Sequence, residues 1–418
     1  MNPVQAPGPG QIPPDYPHSI CMVLPTALRA LGVKLPRPYA ALDIPWLSGR
    51  ISASGAGRKF DRLLFYFLDS LGLEACKKSG GLFARLLKSH GLALTSVFPS
   101  ITSTALCSIY TGLPPARHGI LGHKIYFDEI RTLVDVLKME IPGVGRPLTS
   151  VRLPIKHWLR VPPLFDKTFL GNRRAVHISP HPIIHSGISD MIYPDHMRRE
   201  GYDEYIEGLA KAEYYLRAGA GIVNFYQHGV DESTHKFGGE SSQAMFSIRN
   251  IEQGVAWLAG HLPRAVQRRT LFALVSDHGQ NVFQPGRILH FPYMEIERQK
   301  KTAGLVALGT SGRLGHVYSS AFPNPALEKW LALKCRGKAT VVPRHTSWRL
   351  AGGAGPLPAH ARRLGDYTLL LHAGVKLRVE FTPPKEEKYL RFSVANHGSL
   401  TADELNVPAL FVPMDEIV

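Results

Sequence analysis

Cysteine is scarce in this chain. Cys21, Cys76, Cys107 and Cys335 are spread over 418 residues without a Cys-x-x-Cys pair. Such spacing excludes a disulfide frame and predicts reduced, mostly buried thiols. No apolar run approaches the ~18 residues of a membrane span. The first twenty residues, MNPVQAPGPGQIPPDYPHSI, lack a basic stretch followed by an apolar one, so they do not read as a secretory leader. Cytoplasm is the default expectation on that ground. Acidic residues are outnumbered, 33 against 49 Lys and Arg. Yet the basic surplus is scattered, with Arg-Arg pairs at 173–174, 198–199, 268–269 and 362–363, and no aromatic-interleaved basic stripe appears. The charge either steers anionic substrates such as phosphate esters or is a general bias on a solvated surface, and it argues against dedicated nucleic-acid binding. There is no internal repeat.

What the chain does have is enough apolar sequence, 44%, for one large α/β domain. Residues 1–58 read as a Pro/Gly-rich N-terminal arm carrying a short helix from Ile20 to Leu31, then several prolines and a Gly/Ser cluster at 52–57. The main fold, 59–418, starts with the run from Arg62 to Leu68. Two similar runs follow, from Gly221 to Tyr226 and from Thr270 to Val275. Short continuous apolar runs bounded by turn signals suit strands buried on both faces. Helical patterns at 202–218 and 241–262 lie between them, so the class is α/β with a mostly parallel central sheet.

Each of these runs ends at a carboxylate: Asp69, Asp231 and Asp277. The C-terminal edge of an open α/β sheet is where sites form. Asp277 is followed by His278, and Asp231 is followed four residues on by His235, a spacing that brings both to one side of a helix. Oxygen and nitrogen donors of this kind suit Zn²⁺ or Mn²⁺. Taken singly, each is as well explained as a helix-capping Asp beside a chance histidine. Phe98 to Ile120 forms a further block: a loop ending near Thr102, a helix over about 103–111, and a glycine stop at Gly112. A hydroxyl at a helix N-terminus faces free amides and the positive end of the dipole, where a phosphate docks. The plain alternative is that Thr102 or Ser103 only caps the helix. Near the C-terminus, His397-Gly398 lies in a turn.

The order of these blocks is more specific than any one of them. Asp69, then Thr102 with Thr111-Gly112-x-x-Pro115-x-x-His118-Gly119, then Asp231-x-x-x-His235, then Ser276-Asp277-His278-Gly279, then His397-Gly398, resembles the alkaline-phosphatase superfamily. Within it, the nucleotide pyrophosphatase/phosphodiesterase branch is the nearest likeness, over roughly residues 60–418. The resemblance implies a three-layer sandwich whose parallel sheet is flanked by helices, and the long interval between His278 and His397, with its Gly/Pro-rich stretch at 351–358, predicts a small cap inserted within 279–390. The resemblance also implies a catalytic Thr102 and two divalent cations, zinc or alternatively manganese. Asp69, Asp277, His278 and Thr102 would hold one; Asp231, His235 and His397 would hold the other. The reaction implied is two-step hydrolysis of a phosphate ester or nucleotide through a phospho-threonine.

This chain departs from that branch in two places. Where an Asn commonly binds the phosphoryl oxygen, Leu121-Gly122-His123 stands, so His123 becomes the candidate donor. Ser103-Thr104 replaces the Phe-Pro that follows the nucleophile. A phosphomonoesterase, a phosphonate hydrolase or a phosphomutase on the same fold therefore remains an alternative, as does a non-catalytic anion-binding protein. The lack of a Cys/Ser-x-Pro-x-Arg segment argues against a sulfatase. His118 reads as structural. His177, His181, His185 and His228 read as loop or pocket residues, and Arg313 and Lys376 as candidate anion contacts.

Overall fold

Apolar runs of five to seven residues cannot lie at a surface, and in the structure they form the middle of a sheet covered on both faces. The structure is a computed structural model and describes residues 8–47, 59–144, 148, 155–383 and 393–417. Its strands, in order, are β1 (Arg62–Leu68), β2 (Gly91–Thr95), β3 (Lys124–Phe127), β4 (Thr132–Asp135), β5 (Ala175–Pro180), β6 (Arg198–Tyr202), β7 (Ile222–Gln227) and β8 (Thr270–Val275). There follow β9 (Asn281–Val282), β10 (Ile288–Phe291), β11 (Leu305–Thr310), β12 (Leu314–Ser319), β13 (Ala339–Pro343), β14 (Tyr367–Leu371), β15 (Lys376–Val379), β16 (Ala395–Asn396) and β17 (Asn406–Pro413).

The central sheet has seven strands in the order β2-β17-β8-β1-β7-β5-β6. Strands β8, β1, β7, β5 and β6 pair in parallel. Only β17 runs against its neighbours β2 and β8. Side chains of β1 alternate between the two faces. Leu63, Phe65 and Phe67 join one core, and Leu64, Tyr66 and Leu68 join the other. The second core is closed by helices that include Tyr205–Arg217 and Ser242–His261, close to the expected 202–218 and 241–262. The result is the expected α/β three-layer sandwich.

Part of the N-terminal segment packs on the central sheet. Ile20, Cys21, Val23, Leu24, Ala27 and Leu28 are fully buried in the first core. The helix expected from Ile20 to Leu31 is a 3-10 turn at Ile20–Met22 followed by an α-helix at Val23–Ala30. Its apolar face covers the sheet, which periodicity alone does not distinguish from a free amphipathic helix. Residues 1–7 and the Gly/Ser cluster at 52–57 lie outside the described residues. All four cysteines are buried and free.

A second, six-stranded sheet, β13-β14-β12-β11-β3-β4, adjoins the first. Most of it comes from the interval in which a cap was expected, of which residues 384–390 lie outside the described residues. The hairpin β3–β4, however, comes from well before that interval and pairs onto β11.

Candidate functional site

The three central strands β8, β1 and β7 end side by side, and their ends carry the chemistry. Asp69 follows β1, Asp277 and His278 follow β8, and Asp231 lies in the helix Gly229–Phe237 just beyond β7. Asp69, Asp277, His278 and His397 are almost wholly buried. His278 Nε2 lies 3.0 Å from Asp277 Oδ2, 3.6 Å from Asp69 Oδ1 and 3.1 Å from Thr102 Oγ1. Asp231 Oδ1 lies 3.3 Å from His235 Nε2 and 4.0 Å from His397 Nε2. The His278 and His397 rings stack, with centroids 3.4 Å apart. The seven residues singled out as ligands thus converge from five separate stretches of chain.

Thr102 is the first residue of the helix Thr102–Thr111, so its amide has no acceptor within the helix. Ile101 occupies the cap position, and no side chain caps the helix. The Ser103 hydroxyl is turned away, donating to the Gly122 carbonyl at 2.9 Å. The capping alternative for Thr102 and Ser103 therefore falls, and the Thr102 hydroxyl faces the histidine cluster.

Two glycines of the sequence motifs have a steric reason. A Cβ on Gly279 would stand 2.1 Å from the Asp403 carbonyl oxygen, and Gly398 has φ +117°. Ser70, directly after Asp69, adopts φ 67°, a conformation that non-glycine residues rarely take. It presents its amide to Asp277 Oδ1 at 3.0 Å.

The donor set fits divalent cations on three observations. Asp69 Oδ1 and Asp277 Oδ2 are buried without a hydrogen-bond partner, a costly state for a carboxylate oxygen. Nδ1 of His235, His278 and His397 faces the carbonyls of Ala395, Gly279 and Ser100 at 2.9, 3.1 and 2.9 Å. An Nδ1–H donating to a carbonyl fixes the tautomer and leaves the Nε2 lone pair for a metal. Finally, donor atoms of Asp69, Asp277 and His278, and those of Asp231, His278 and His397, each lie within 4.8 Å of one another. Here the grouping differs from the expected one: His278 faces both clusters, and His235 stands at the edge of the second.

Burial, then the charges of Asp277 and Asp231, push Asp69 well above the usual carboxylate range. Burial, then the neighbouring His278 and His235, push His397 well below the usual imidazole range. For His278, burial opposes protonation, but the Asp277 and Asp231 carboxylates and the Gly279 carbonyl together outweigh it, and the net direction is upward.

Two hollows meet at Thr102. One, of about 680 Å³, is lined by Thr102, His123, Lys124, Asp231, His235, Arg378 and His397 among others. The other, of about 500 Å³ and more apolar, is lined by Asp69, Thr102, Leu106, His177, Tyr193, Tyr226 and His228 among others. His177 and His228 are thus pocket residues, whereas His181 is exposed and paired with Asp203. His118 is buried, 2.8 Å from the Ser108 hydroxyl, and structural. Arg313 is not an anion contact: it is fully buried, ion-paired to Glu404 and bonded to the carbonyls of Val375 and His372. Lys376 donates to the Ser393 carbonyl at 3.4 Å and lies over the Phe283 ring.

Sequence reasoning missed three supporting groups. The Tyr226 hydroxyl donates to Asp69 Oδ2. Gln280 Nε2 donates to Asp231 Oδ1 at 2.9 Å, and Asp135 Oδ2 lies 3.3 Å from His123 Nε2. Gln280 adjoins the Asp277-His278-Gly279 motif and was within reach of the sequence. Tyr226 and Asp135 were hidden in strands.

A mostly parallel sheet with this cluster at its C-terminal edge defines an alkaline-phosphatase-like fold. Solved structures agree at the level of fold. Murine ectonucleotide pyrophosphatase/phosphodiesterase 5 is 14% identical, with a TM-score of 0.59 over 83% of this chain and 87% of that one. Phosphonoacetate hydrolase from Sinorhizobium meliloti 1021, solved with phosphonoformate, is 17% identical, with a TM-score of 0.60 over 86% and 92%. An inactive variant of the murine protein was solved with AMP. No curated protein sequence gives a match.

The family is settled by sequence. The model of the Type I phosphodiesterase/nucleotide pyrophosphatase family matches residues 68–399, and the chain belongs to that family. It is a phosphoric ester hydrolase of the alkaline-phosphatase superfamily. Among the described residues, no helix is long and apolar enough to cross a membrane.

Proposed function

We propose that the protein hydrolyses a small phosphate ester or nucleotide in two steps, with Thr102 as the nucleophile. The observation that carries this reading is the Thr102 hydroxyl, uncommitted to capping and 3.1 Å from His278 Nε2 at the meeting point of two hollows. Asp69, Asp277 and His278, with Thr102 Oγ1, would hold one divalent cation. Asp231, His235 and His397 would hold the second, with His278 beside both. When bound, the cations offset charge on the phosphoryl oxygens and lower the pKa of the hydroxyl. Zinc suits the nitrogen and oxygen donors, and manganese suits them next best.

Thr102 Oγ attacks phosphorus, the bond to the leaving oxygen breaks, and a phospho-threonine forms. Water then attacks phosphorus from the side the leaving group vacated, the bond to Thr102 Oγ breaks, and phosphate or a phosphate monoester departs. The amides of the first helical turn at Thr102 face the developing negative charge. His123, in the cleft wall, is the side-chain donor to a phosphoryl oxygen. The more apolar hollow beside Leu106 and Tyr193 takes the organic part of the ester.

A second reading is supported by His123, which stands where diesterases of this family commonly have Asn. A basic donor there also suits a phosphomonoester or a phosphonate, and one solved neighbour is a phosphonate hydrolase. Comparing bis-nitrophenyl phosphate with nitrophenyl phosphate separates the two readings. Thr102→Ala should abolish turnover of whichever is cleaved while leaving the fold and about two bound divalent ions per chain intact. Near-wild-type activity in that variant would refute the mechanism.

A further inference from the structure

The two carboxylates of the buried cluster are held by different means. Asp277 Oδ1 accepts from the amides of Ser70 and His278, both at 3.0 Å. Its Oδ2 accepts no hydrogen bond and lies 3.0 Å from His278 Nε2. Asp69 repeats the pattern with another holder. Its Oδ2 accepts from the Tyr226 hydroxyl, and its Oδ1 accepts nothing and lies 3.6 Å from His278 Nε2. In each carboxylate the chain occupies one oxygen and leaves the other turned to the cluster. The holders of Asp277 are backbone amides, which no substitution of their own side chains removes. The holder of Asp69 is a single phenol.

Strand register delivers that phenol. β1 and β7 pair in parallel with Phe67 opposite Tyr226. Both side chains enter the first core, where their rings stack with centroids 5.0 Å apart. Asp69 follows Phe67 by two residues, so along an extended chain it falls on the same side. The Asp69 amide donates to the Gln227 carbonyl at 2.9 Å, which carries the pairing past the end of β1. Aromatic side chains are long enough to reach such a diagonal neighbour. A slip of one residue in the pairing would turn Tyr226 to the other face. Asp69 cannot itself settle which oxygen points inward, because rotation about its Cβ–Cγ bond is soft and nearly two-fold.

We propose that Tyr226 is a positioning residue: by occupying Oδ2 it fixes the Asp69 carboxylate and makes Oδ1 the atom that binds the divalent cation of the buried cluster. This rests on the reading, given above, of Asp69, Asp277 and His278 as ligands of that cation. A phenol is protonated in the neutral range and therefore donates. Hydrogen bonds to a ligating carboxylate set its orientation, and with it the affinity of the site. Phenylalanine would fill the same space against Phe67 but leave Oδ2 unheld.

The test is a titration of the chelated full chain with Zn²⁺ against a competing chelator. Tyr226→Phe keeps the ring and removes only the hydroxyl. One bound ion should be weakened about 10- to 100-fold, and the other should stay within about twofold of wild type. His235→Ala, which spoils the more open cluster, tells the ions apart: the ion that remains in that background should be the one that Tyr226→Phe weakens. No loss, an equal loss at both ions, or a loss confined to the ion that His235→Ala removes overturns the proposal. A second measurement does not depend on the variant. A structure of the wild type loaded with Zn²⁺ should show Asp69 bound through Oδ1 alone, with the Tyr226 hydroxyl on Oδ2. Bidentate binding, or binding through Oδ2, overturns the proposal. Failure of the underlying reading looks different: the wild type would take up no Zn²⁺, or the loaded structure would hold its ions away from Asp69. Either result ends both.

Discussion

Two of the clusters of buried charge among the described residues, around Arg313 and around His278, are built in opposite ways. Around Arg313 every charge is answered by the chain itself. The guanidinium pairs with Glu404 and two carbonyls. Glu404 in turn accepts from the amides of Ser399 and Thr401 and from the Thr401 hydroxyl. Around His278, Asp69 and Asp277 each keep a buried oxygen that accepts no hydrogen bond and faces the same His278 Nε2, and Asp231 adds a third carboxylate nearby. The first cluster ties the second sheet to the segment before β17. The second is complete only with charge brought from outside. Buried charge in full balance is architecture; buried charge out of balance is a place for a ligand.

The sharpest way to break this comparison is to withhold the cations. A strong chelator should reduce turnover to background and lower the Tm, and added Zn²⁺ or Mn²⁺ should restore both. A chelated enzyme with full activity would remove the distinction between the clusters. Next in size are the single substitutions. Glu404→Ala strands a buried guanidinium and should cost about 3–5 kcal/mol in urea unfolding. Asp69→Asn in the chelated protein should cost nothing or stabilise it, because it relieves repulsion among three carboxylates. If both destabilise equally, the imbalance at the site is not real.

A smaller effect comes from buried histidines with no carboxylate partner. Burial lowers His118 and His177 to about 3 and His316 to about 4, from an ordinary 6.5. The unfolded chain then binds more protons than the native one below pH 6.5, so their contribution to stability is present above that pH. It should be lost as pH falls toward 4, read as a decline in Tm that is reduced in His316→Gln. The smallest difference should separate Glu404→Ala from Arg313→Met combined with Glu404→Leu. Both remove the acceptor of the Ser399 and Thr401 amides, but the double variant leaves no buried charge unpaired and should be less destabilised than Glu404→Ala, by about 1 kcal/mol or more.

The fold and most of the site were legible in the sequence for one physical reason. Strands buried on both faces are continuous apolar runs, and a polar residue ending such a run stands out. Asp69, Asp231, Asp277 and His278 were readable on that account, and Thr102 because a helix and a glycine stop followed it. What stayed hidden depended on contacts between distant stretches. Asp135 reads as an ordinary hairpin residue until β3 and β4 pair. Tyr226 is one apolar-run residue among several until its hydroxyl meets Asp69. Ile20 to Ala30 form an amphipathic helix whether they cover a core or float free. Arg313 read as an anion contact because sequence shows a charge and not its burial.

The position of β17 has a consequence in time. Among the described residues it is the one reversed strand of the seven-stranded sheet, wedged between β2 and β8, and it follows His397 in the chain. During synthesis, which proceeds from the N-terminus, β1, β7 and β8 can assemble with five of the six Asp and His residues proposed as ligands while a slot in the sheet stands open. The sixth ligand and the strand that fills the slot emerge together. On the proposed ligand set, a chain that stalls before His397 would carry a half-built site, and the expected outcome is no turnover.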